Sequence, residues 1–430
     1  MSASPLLSKV YERLIYNQLS DHANTFLNNI LCGFRKAHST QYVQFKLKSS
    51  WQSVLDNGGF AGTVLMDLSK AFDCISHELL IAKFECYGLS KNSLTLLLDY
   101  LTDRKQRTKI GSSFSPWHNI DTGVPQGSIL GPLLFNIFLN DFFFSITESE
   151  VCNFADDNTL YYADQNLDQV LTKLSYDLKN VIQWFKINSL KANPDKFQFM
   201  VLGKKKPESI SINIDGNLKE SSSEVVLLGV TIDCELKFRK HVDELCKRAT
   251  FKLHALRRIR KFITVEKARL IANAFIDSQF NYVSVIWMFA GKTAISKICK
   301  IHHRTLKIVY NDYNKTYEQL LEISKTTSIH QRHLKCLAIE VFKSISHLNP
   351  EFMWNFFNEK QLSYNLRNGS KLVLPRAQSS RFGINSLCFR GSMLWNNLPL
   401  IVKNSENINE FKQKLRNFIL IKCYIRNDIS

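Results

Sequence analysis

The sequence predicts an α+β chain of more than one domain, and three observations carry that reading. Apolar residues at three- and four-residue spacing, as at Leu7, Val10, Leu14, Ile15 and Leu19, give helical periodicity over much of the chain. Short apolar runs interrupt it, and two of them stop at aspartates: 60–66 before Asp67, and the runs flanking Asp156-Asp157. The third observation is charge. Residues 1–200 hold 18 basic and 19 acidic residues, whereas 201–430 hold 38 and 19, so the whole excess of +18 lies in the second half. Such a half suits a polyanionic partner. At 430 residues, 45% hydrophobic and 22% charged, the chain is no disordered tail, collagen or disulfide-stapled mini-protein.

Taken in order, residues 5–31 read as a helix, and a second around 46–55 stops at Asn57-Gly58-Gly59. The run at 60–66 is a buried strand with a carboxylate at its tip. Helices follow at 77–87 and 93–101, then a hairpin over 106–113, a loop at 123–128 and a helix at 132–141. Residues 151–155 and 158–162 read as strands around a two-carboxylate turn. A long amphipathic helix covers 167–185, before Asn193-Pro194 and a strand at 197–202. Lys204-Lys205-Lys206-Pro207 marks a domain edge, and strands at 209–214 and 225–232 open the basic half. The helix at 240–262 sets Lys247, Arg248, Lys252, Arg257, Arg258, Arg260 and Lys261 opposite Leu245, Ala249, Leu253, Leu256 and Ile259. Beyond 290 the chain is helical at first, then broken by Asn, Gly and Pro.

The ten cysteines stand singly, with no C-x-x-C pair, and read as buried and reduced in an intracellular protein of nucleus or cytoplasm, not a secreted one. A zinc ribbon therefore has no support, and Cys299, His302 and His303 lack a second ligand pair at finger spacing, which weighs against a zinc site there. The most apolar stretch, 129–146, is broken by Gly131, Pro132, Asn136, Asn140 and Asp141 and reads as a buried helix, not a membrane span.

Adjacent carboxylates repel, and a lone Asp-Asp is ordinarily a solvated turn. This pair is not alone. Asp67-Leu-Ser-Lys-Ala-Phe-Asp73, Gly123-Val-Pro-Gln-Gly-Ser-Ile-Leu-Gly-Pro132 and Phe154-Ala-Asp-Asp-Asn158 occur in that order at wide spacing. The set resembles the reverse transcriptases of non-LTR retrotransposons of the jockey and chicken-repeat type. Ser8-Lys-Val-Tyr-Glu-Arg13, Gly33-Phe-Arg-Lys-Ala-His-Ser-Thr40, Leu190-Lys-Ala-Asn-Pro-Asp-Lys196 and Leu227-Leu-Gly-Val230 extend the likeness. So do Tyr364-Asn-Leu-Arg367, Leu374-Pro-Arg376, Phe389-Arg-Gly391 and Leu394-Trp395 in the tail.

The resemblance implies a right-hand polymerase: partial fingers and palm at 1–235, a thumb-like basic helical region at 236–290 and a retrotransposon-type tail at 291–430. It implies RNA-directed DNA synthesis, extending a DNA primer or target with dNTPs on an RNA template, with two Mg²⁺ ions or Mn²⁺ in their place. Asp67, Asp156, Asp157 and the Leu68 backbone match the metal-binding positions. Phe72 matches the steric gate against a ribose 2′-hydroxyl, though residue type alone reads equally as core. Gln126 and Gly127 match the nucleotide-contacting loop, and Lys196, or else Lys191, stands near the pyrophosphate. Ser69 and Lys70 carry no assigned role, and Asp73 suits a cap on the following helix. Lys247, Lys252, Arg257, Arg258, Arg260 and Lys261 are expected to hold template–primer phosphates.

One departure stands at the front. Such elements carry Asn-Tyr-Arg-Pro-Ile-Ser where this sequence has Met1-Ser-Ala-Ser-Pro5. The expectation is a 3′ element remnant, or a gene model begun late, lacking the front of the fingers and the upstream endonuclease, with Arg35 and Lys36 as candidate compensating cations whose motif lies elsewhere in the fingers. The alternative function is a catalytically silent nucleic-acid-binding remnant.

Overall fold

The computed structural model describes residues 6–204, 207–359 and 371–418; Lys205-Lys206, Tyr364–Arg367 and Cys423 lie outside them. It is α+β, as expected. The described residues divide into two compact units, one of 1–43 with 59–222, the other of 44–58 with 223–430.

The first unit begins with α1 (Leu6–Ala23) and the opening turn of α2 (Thr40–Asp56). Helix α1 is shorter than the 5–31 expected. The residues after it are tied elsewhere: the Asn28 N–H donates to Asn140 Oδ1 at 2.7 Å, and Leu31 bridges Asn153. Its expected apolar face is also corrected, since Leu7, Val10 and Leu14 are exposed. Leu19 and Ala23 are buried, and so is Glu12, which accepts from the Tyr100 hydroxyl at 3.0 Å and the Ile129 N–H at 2.7 Å.

Strand β1 (Phe60–Met66) is buried along almost its whole length, as a central strand must be. Helices α3 (His77–Cys86) and α4 (Lys91–Leu101) follow, capped by Ser76 and Ser90. Asp73 is therefore not the cap. Four two-residue strands come next: β2 (Lys105–Gln106), β3 (Lys109–Ile110), β4 (Ser113–Phe114) and β5 (His118–Asn119). Helix α5 (Gly131–Leu139) is apolar apart from Asn136 and buried all round apart from Pro132.

Strands β6 (Glu150–Phe154) and β7 (Asp157–Asp164) form the acid-tipped hairpin. Helix α6 (Leu167–Ile187) buries Val170, Leu174, Leu178, Val181 and Phe185, and strand β8 (Gln198–Leu202) completes the sheet. The sheet is antiparallel with order β6-β7-β1-β8, so β1 and β7, remote in sequence, are neighbours. The chain runs on past 204–207 through the hairpin of β9 (Ser211–Ile214) and β10 (Asn217–Glu220), within the same unit.

In the second unit, β11 (Glu224–Leu227) and β12 (Val230–Asp233) form a hairpin where one strand was expected, because Leu228-Gly229 turn with positive φ. Helix α7 (Arg239–Ile259) follows, and the remaining described residues are mostly helical, including Lys292–Tyr310, Ile329–Ile345 and Leu387–Asn396. No described helix is long and apolar enough to cross a membrane. None of the described cysteines is in a disulfide; Cys32 and Cys152 are buried, but Cys86 is exposed.

Candidate active site

The register fixes the site. Met66 pairs with Asn158, so one step along brings Asp67 level with Asp157. Phe154 pairs with Asp157, which leaves Ala155-Asp156 as the two-residue turn and puts Asp157 on the strand, one residue from where the sequence suggested. Ala155 takes the left-handed conformation, φ 55°, without being glycine. Its surroundings hold it there. Asn153 Nδ2 donates to the Ala155 carbonyl at 2.7 Å and to Asn158 Oδ1 at 3.0 Å, and Asn158 Nδ2 donates to the Asp156 carbonyl at 3.2 Å. Gly33 lies so close that a Cβ there would overlap the Ala155 backbone, while the Gly33 carbonyl accepts from Asn136 Nδ2 at 2.8 Å.

The segment after β1 is held by the one before β8. The Ser69 N–H donates to the Lys191 carbonyl at 2.9 Å and the Asn193 N–H to the Asp67 carbonyl at 3.3 Å, with Leu68 bridged to Ala192. That zipper brings Lys196 Nζ to 3.5 Å from Asp67 Oδ2. Lys191 acts here through its backbone.

Electrostatically, Lys196 is paired with Asp67, while Asp157 is next to the charges of Asp156 and Asp67. Asp157 is pushed up to about 6, by desolvation of its carboxyl first and then by the charges of Asp156 and Asp67. As the residue overall is exposed, the like charges carry the chemical meaning. The donor set, hard oxygens with surplus negative charge, fits a divalent cation such as Mg²⁺. Among the described residues no three His, Cys, Asp or Glu side chains are already gathered as a metal cage, so these carboxylates are neighbours and not a preformed one.

Phe72 is half-buried, stacked on Phe135 with centroids 4.3 Å apart and edge-on to Phe34 at 5.8 Å. Gln126 and Gly127 are exposed on the 123–128 loop. Gln126 Nε2 donates to Asp73 Oδ1 at 2.9 Å, and Gly127 has φ +82°. The loop is pinned to the Phe72 turn, the Val124 N–H donating to the Phe72 carbonyl at 2.9 Å. Arg35 is committed elsewhere: its Nη1 donates to the carbonyls of Asn28 and Leu31, at 2.8 and 3.3 Å.

On α7, Val242, Leu245, Ala249, Leu253 and Leu256 are buried, while Ile259, expected with them, is exposed. Lys247, Arg257, Arg258 and Lys261 are exposed and Lys252 is half-exposed. Arg260 differs. Its Nε donates to the carbonyls of Ile308 and Val309, at 3.1 and 2.8 Å, and its Nη1 to that of Ile263 at 3.0 Å. It closes the end of helix Lys292–Tyr310, a tertiary role no sequence spacing reveals.

Comparison with known proteins adds the family. Residues 1–232 match the reverse transcriptase (RNA-dependent DNA polymerase) family. Over 326 residues the chain is 27% identical to the probable RNA-directed DNA polymerase from transposon BS of Drosophila melanogaster, covering 70% of this chain and 35% of that protein. It is 25% identical over 318 residues to the RNA-directed DNA polymerase from mobile element jockey of Drosophila funebris, covering 71% and 35%. The chain thus spans about a third of the length of these relatives. Among solved structures it is similar to Candida albicans telomerase in complex with a fragment of telomeric RNA, at 16% identity and TM-score 0.35, covering 84% of this chain and 57% of that one. With the family matched across more than half of its length, the chain belongs to the reverse transcriptases, and its relatives include the polymerases of mobile elements.

Proposed function

We propose that this chain is the RNA-directed DNA polymerase of a non-LTR retrotransposon, joining dNTPs to a DNA 3′-hydroxyl on an RNA template. The observation that carries the reading is the adjacency of Asp67 and the Asp156-Asp157 hairpin on neighbouring strands, with desolvation and then like charge raising Asp157. Asp67, Asp156, Asp157 and the Leu68 carbonyl would hold the two Mg²⁺ or Mn²⁺ ions. When bound, these supply activation of the attacking hydroxyl and neutralise charge on the leaving pyrophosphate.

The chain's own residues do the rest. The 3′-oxygen gives its proton to solvent water and forms its bond to the α-phosphorus as the bond to pyrophosphate breaks. Phe72, braced by Phe135, forms a fixed wall beneath the sugar and excludes a 2′-hydroxyl. Gln126 and Gly127 present a polar side chain and exposed backbone to the incoming nucleotide. Lys196, released from Asp67, donates a proton from Nζ to the pyrophosphate. Residues 1–235 act as partial fingers and palm, 236–290 as thumb and 291–430 as a retrotransposon-type tail. Lys247, Lys252, Arg257, Arg258 and Lys261 of the thumb hold duplex phosphates by charge, with Arg260 bracing the helix end.

The test is primer extension on an RNA template with dNTPs and Mg²⁺, wild type against Asp156→Asn. Extension by the wild type and none by the variant is expected. Binding of the primer–template by both, with extension by neither, would overturn turnover and leave a silent nucleic-acid-binding protein.

A further inference from the structure

We propose that the ribbon of residues 104–120 is a binding arm for single-stranded nucleic acid, stacking bases on its aromatic rings and holding phosphates with its cations. Between Arg104 and Asn119 the sequence has Arg104, Lys105, Arg107 and Lys109 and no acidic residue, together with Phe114 and Trp117. The ribbon is two short ladders in series. Lys105 and Gln106 pair with Asn119 and His118, and beyond them Lys109 and Ile110 pair with Phe114 and Ser113.

Every residue of these four strands is exposed. Core packing therefore does not account for Phe114 at 49%, Trp117 at 58% and Ile110 at 77% exposure. Apolar side chains gathered on an exposed ribbon mark a place of interaction. Their geometry says with what. The Arg107 guanidinium lies 4.0 Å from the Phe114 ring centroid and 4.5 Å from that of Trp117, and Lys109 Nζ lies 5.3 Å from Phe114. Cations drawn over π-faces leave planar, positively charged platforms. An acidic protein surface would meet the charge but not the rings. Bases with their phosphates meet both.

A single strand fits better than a duplex. Stacking needs bases whose faces are free, and the deep, narrow major groove of an A-form helix does not admit a ribbon. The arm's root also points to a nucleic-acid strand. The Ile120 N–H donates to the Arg104 carbonyl at 2.9 Å, closing the base of the ribbon. Just past it, Thr122 Oγ1 donates to the Asp73 carbonyl at 3.1 Å and the Gly123 N–H to the Ile75 carbonyl at 2.7 Å. The arm thus grows from the turn that carries Phe72. This role extends beyond the polymerase reading and needs no catalysis.

The experiment uses the full chain, without dNTPs, and a fluorescent oligonucleotide of about 16 residues in ribo and deoxy forms, with a hybrid duplex of equal length beside it. The double variant Phe114→Ala, Trp117→Ala should weaken single-strand binding about tenfold or more and leave duplex affinity unchanged. Whichever form loses more identifies the strand as RNA template or DNA. Arg107→Gln should make the salt dependence shallower by about 0.7 in the log–log slope. Trp117→Tyr, which keeps a ring, should restore most of the binding lost in Trp117→Ala. Single-strand affinity equal to wild type in the double variant, or equal loss on the duplex, would overturn the proposal. Asp156→Asn should bind the oligonucleotide as wild type does, which separates failure of the arm from failure of the polymerase.

Discussion

Two clusters of charge in this molecule obey opposite rules. In the first unit, Asp67, Asp156 and Asp157 meet at a strand-end hairpin, at least partly open to solvent, with Lys196 paired to Asp67. In the second, Asp277 is 94% buried and fully engaged on one oxygen: Arg332 Nη1 donates to Oδ2 at 2.6 Å, and His302 Nε2 lies 3.6 Å away. Burial pulls the Asp277 carboxyl up, but the hydrogen bond and charge of His302 and the charge of Arg332 outweigh it and hold it low. His302 is itself anchored through Nδ1 to the Tyr317 hydroxyl at 2.7 Å. The buried carboxylate is charge-paired by the chain through Oδ2, although its Oδ1 has no hydrogen-bond partner, and the cluster is therefore structural. The open one is not, and like charges kept together in water call for a ligand.

Breaking the buried cluster should cost most. Arg332→Leu strands a buried carboxylate, and urea unfolding should show a loss of about 3–5 kcal/mol, much of it recovered in the double variant with Asp277→Asn. An unchanged midpoint would mean that Asp277 finds another partner or water.

Next comes acid. Burial pushes His333 from 6.5 down to about 4, with its ring nitrogen Nε2 against the Phe280 carbonyl at 2.7 Å. The folded value lies below the unfolded one, so the unfolded chain takes up the proton first. Stability from this group is complete above about pH 6.5 and is lost as pH falls toward 4, on the order of 3 kcal/mol. His333→Leu should flatten that part of the unfolding-against-pH curve; equal slopes in the two proteins would remove His333 from the account.

Gly33→Ala tests what supports the open cluster. A Cβ there must displace the Ala155 backbone, and about 1–3 kcal/mol should be lost in thermal unfolding. The displaced turn carries Asp156, so primer extension should fall more than the remaining folded fraction explains.

The smallest effect on stability should come from the site itself. Asp157→Asn removes one of three like charges and should leave unfolding within about 0.5 kcal/mol of wild type, or slightly raise it, while extension is lost. A loss comparable to that of Arg332→Leu would place Asp157 among structural carboxylates.

What the sequence made legible follows the same division. The strand ending at Asp67 and the hairpin carrying Asp156-Asp157 were readable because apolar runs fix a buried register. The turn was misread by one residue because Ala155 adopts positive φ with no glycine or asparagine to announce it. Its cause, Gly33, lies more than a hundred residues away. Of the ribbon only the inner hairpin was visible, since two-residue exposed strands leave no pattern to read. Arg260 was grouped with its basic neighbours, and only tertiary structure shows its guanidinium capping carbonyls at 308 and 309. The Asp277, His302 and Arg332 cluster went unseen for the same reason, its members standing up to 55 positions apart.

Helix α2 changes how this chain must emerge from synthesis. Its opening residues belong to the first unit and 44–56 to the second. Trp51 is fully buried, Phe45 packs edge-on to Phe356 at 5.1 Å, Lys48 Nζ donates to the Ile286 carbonyl at 2.6 Å, and Asp56 Oδ1 accepts from the Ser379 N–H at 2.7 Å. All these partners are made long after the helix. At about 5–20 residues per second, the 323 positions between Asp56 and Ser379 take roughly 16–65 s to translate. Through that interval Trp51 and Phe45 wait without their native cover, and once residue 202 is made the sheet bearing Asp67, Asp156 and Asp157 is complete in sequence. The newborn chain thus passes through a stage with a finished acid-bearing sheet and a sticky helix, a natural client for a chaperone and a natural point of aggregation.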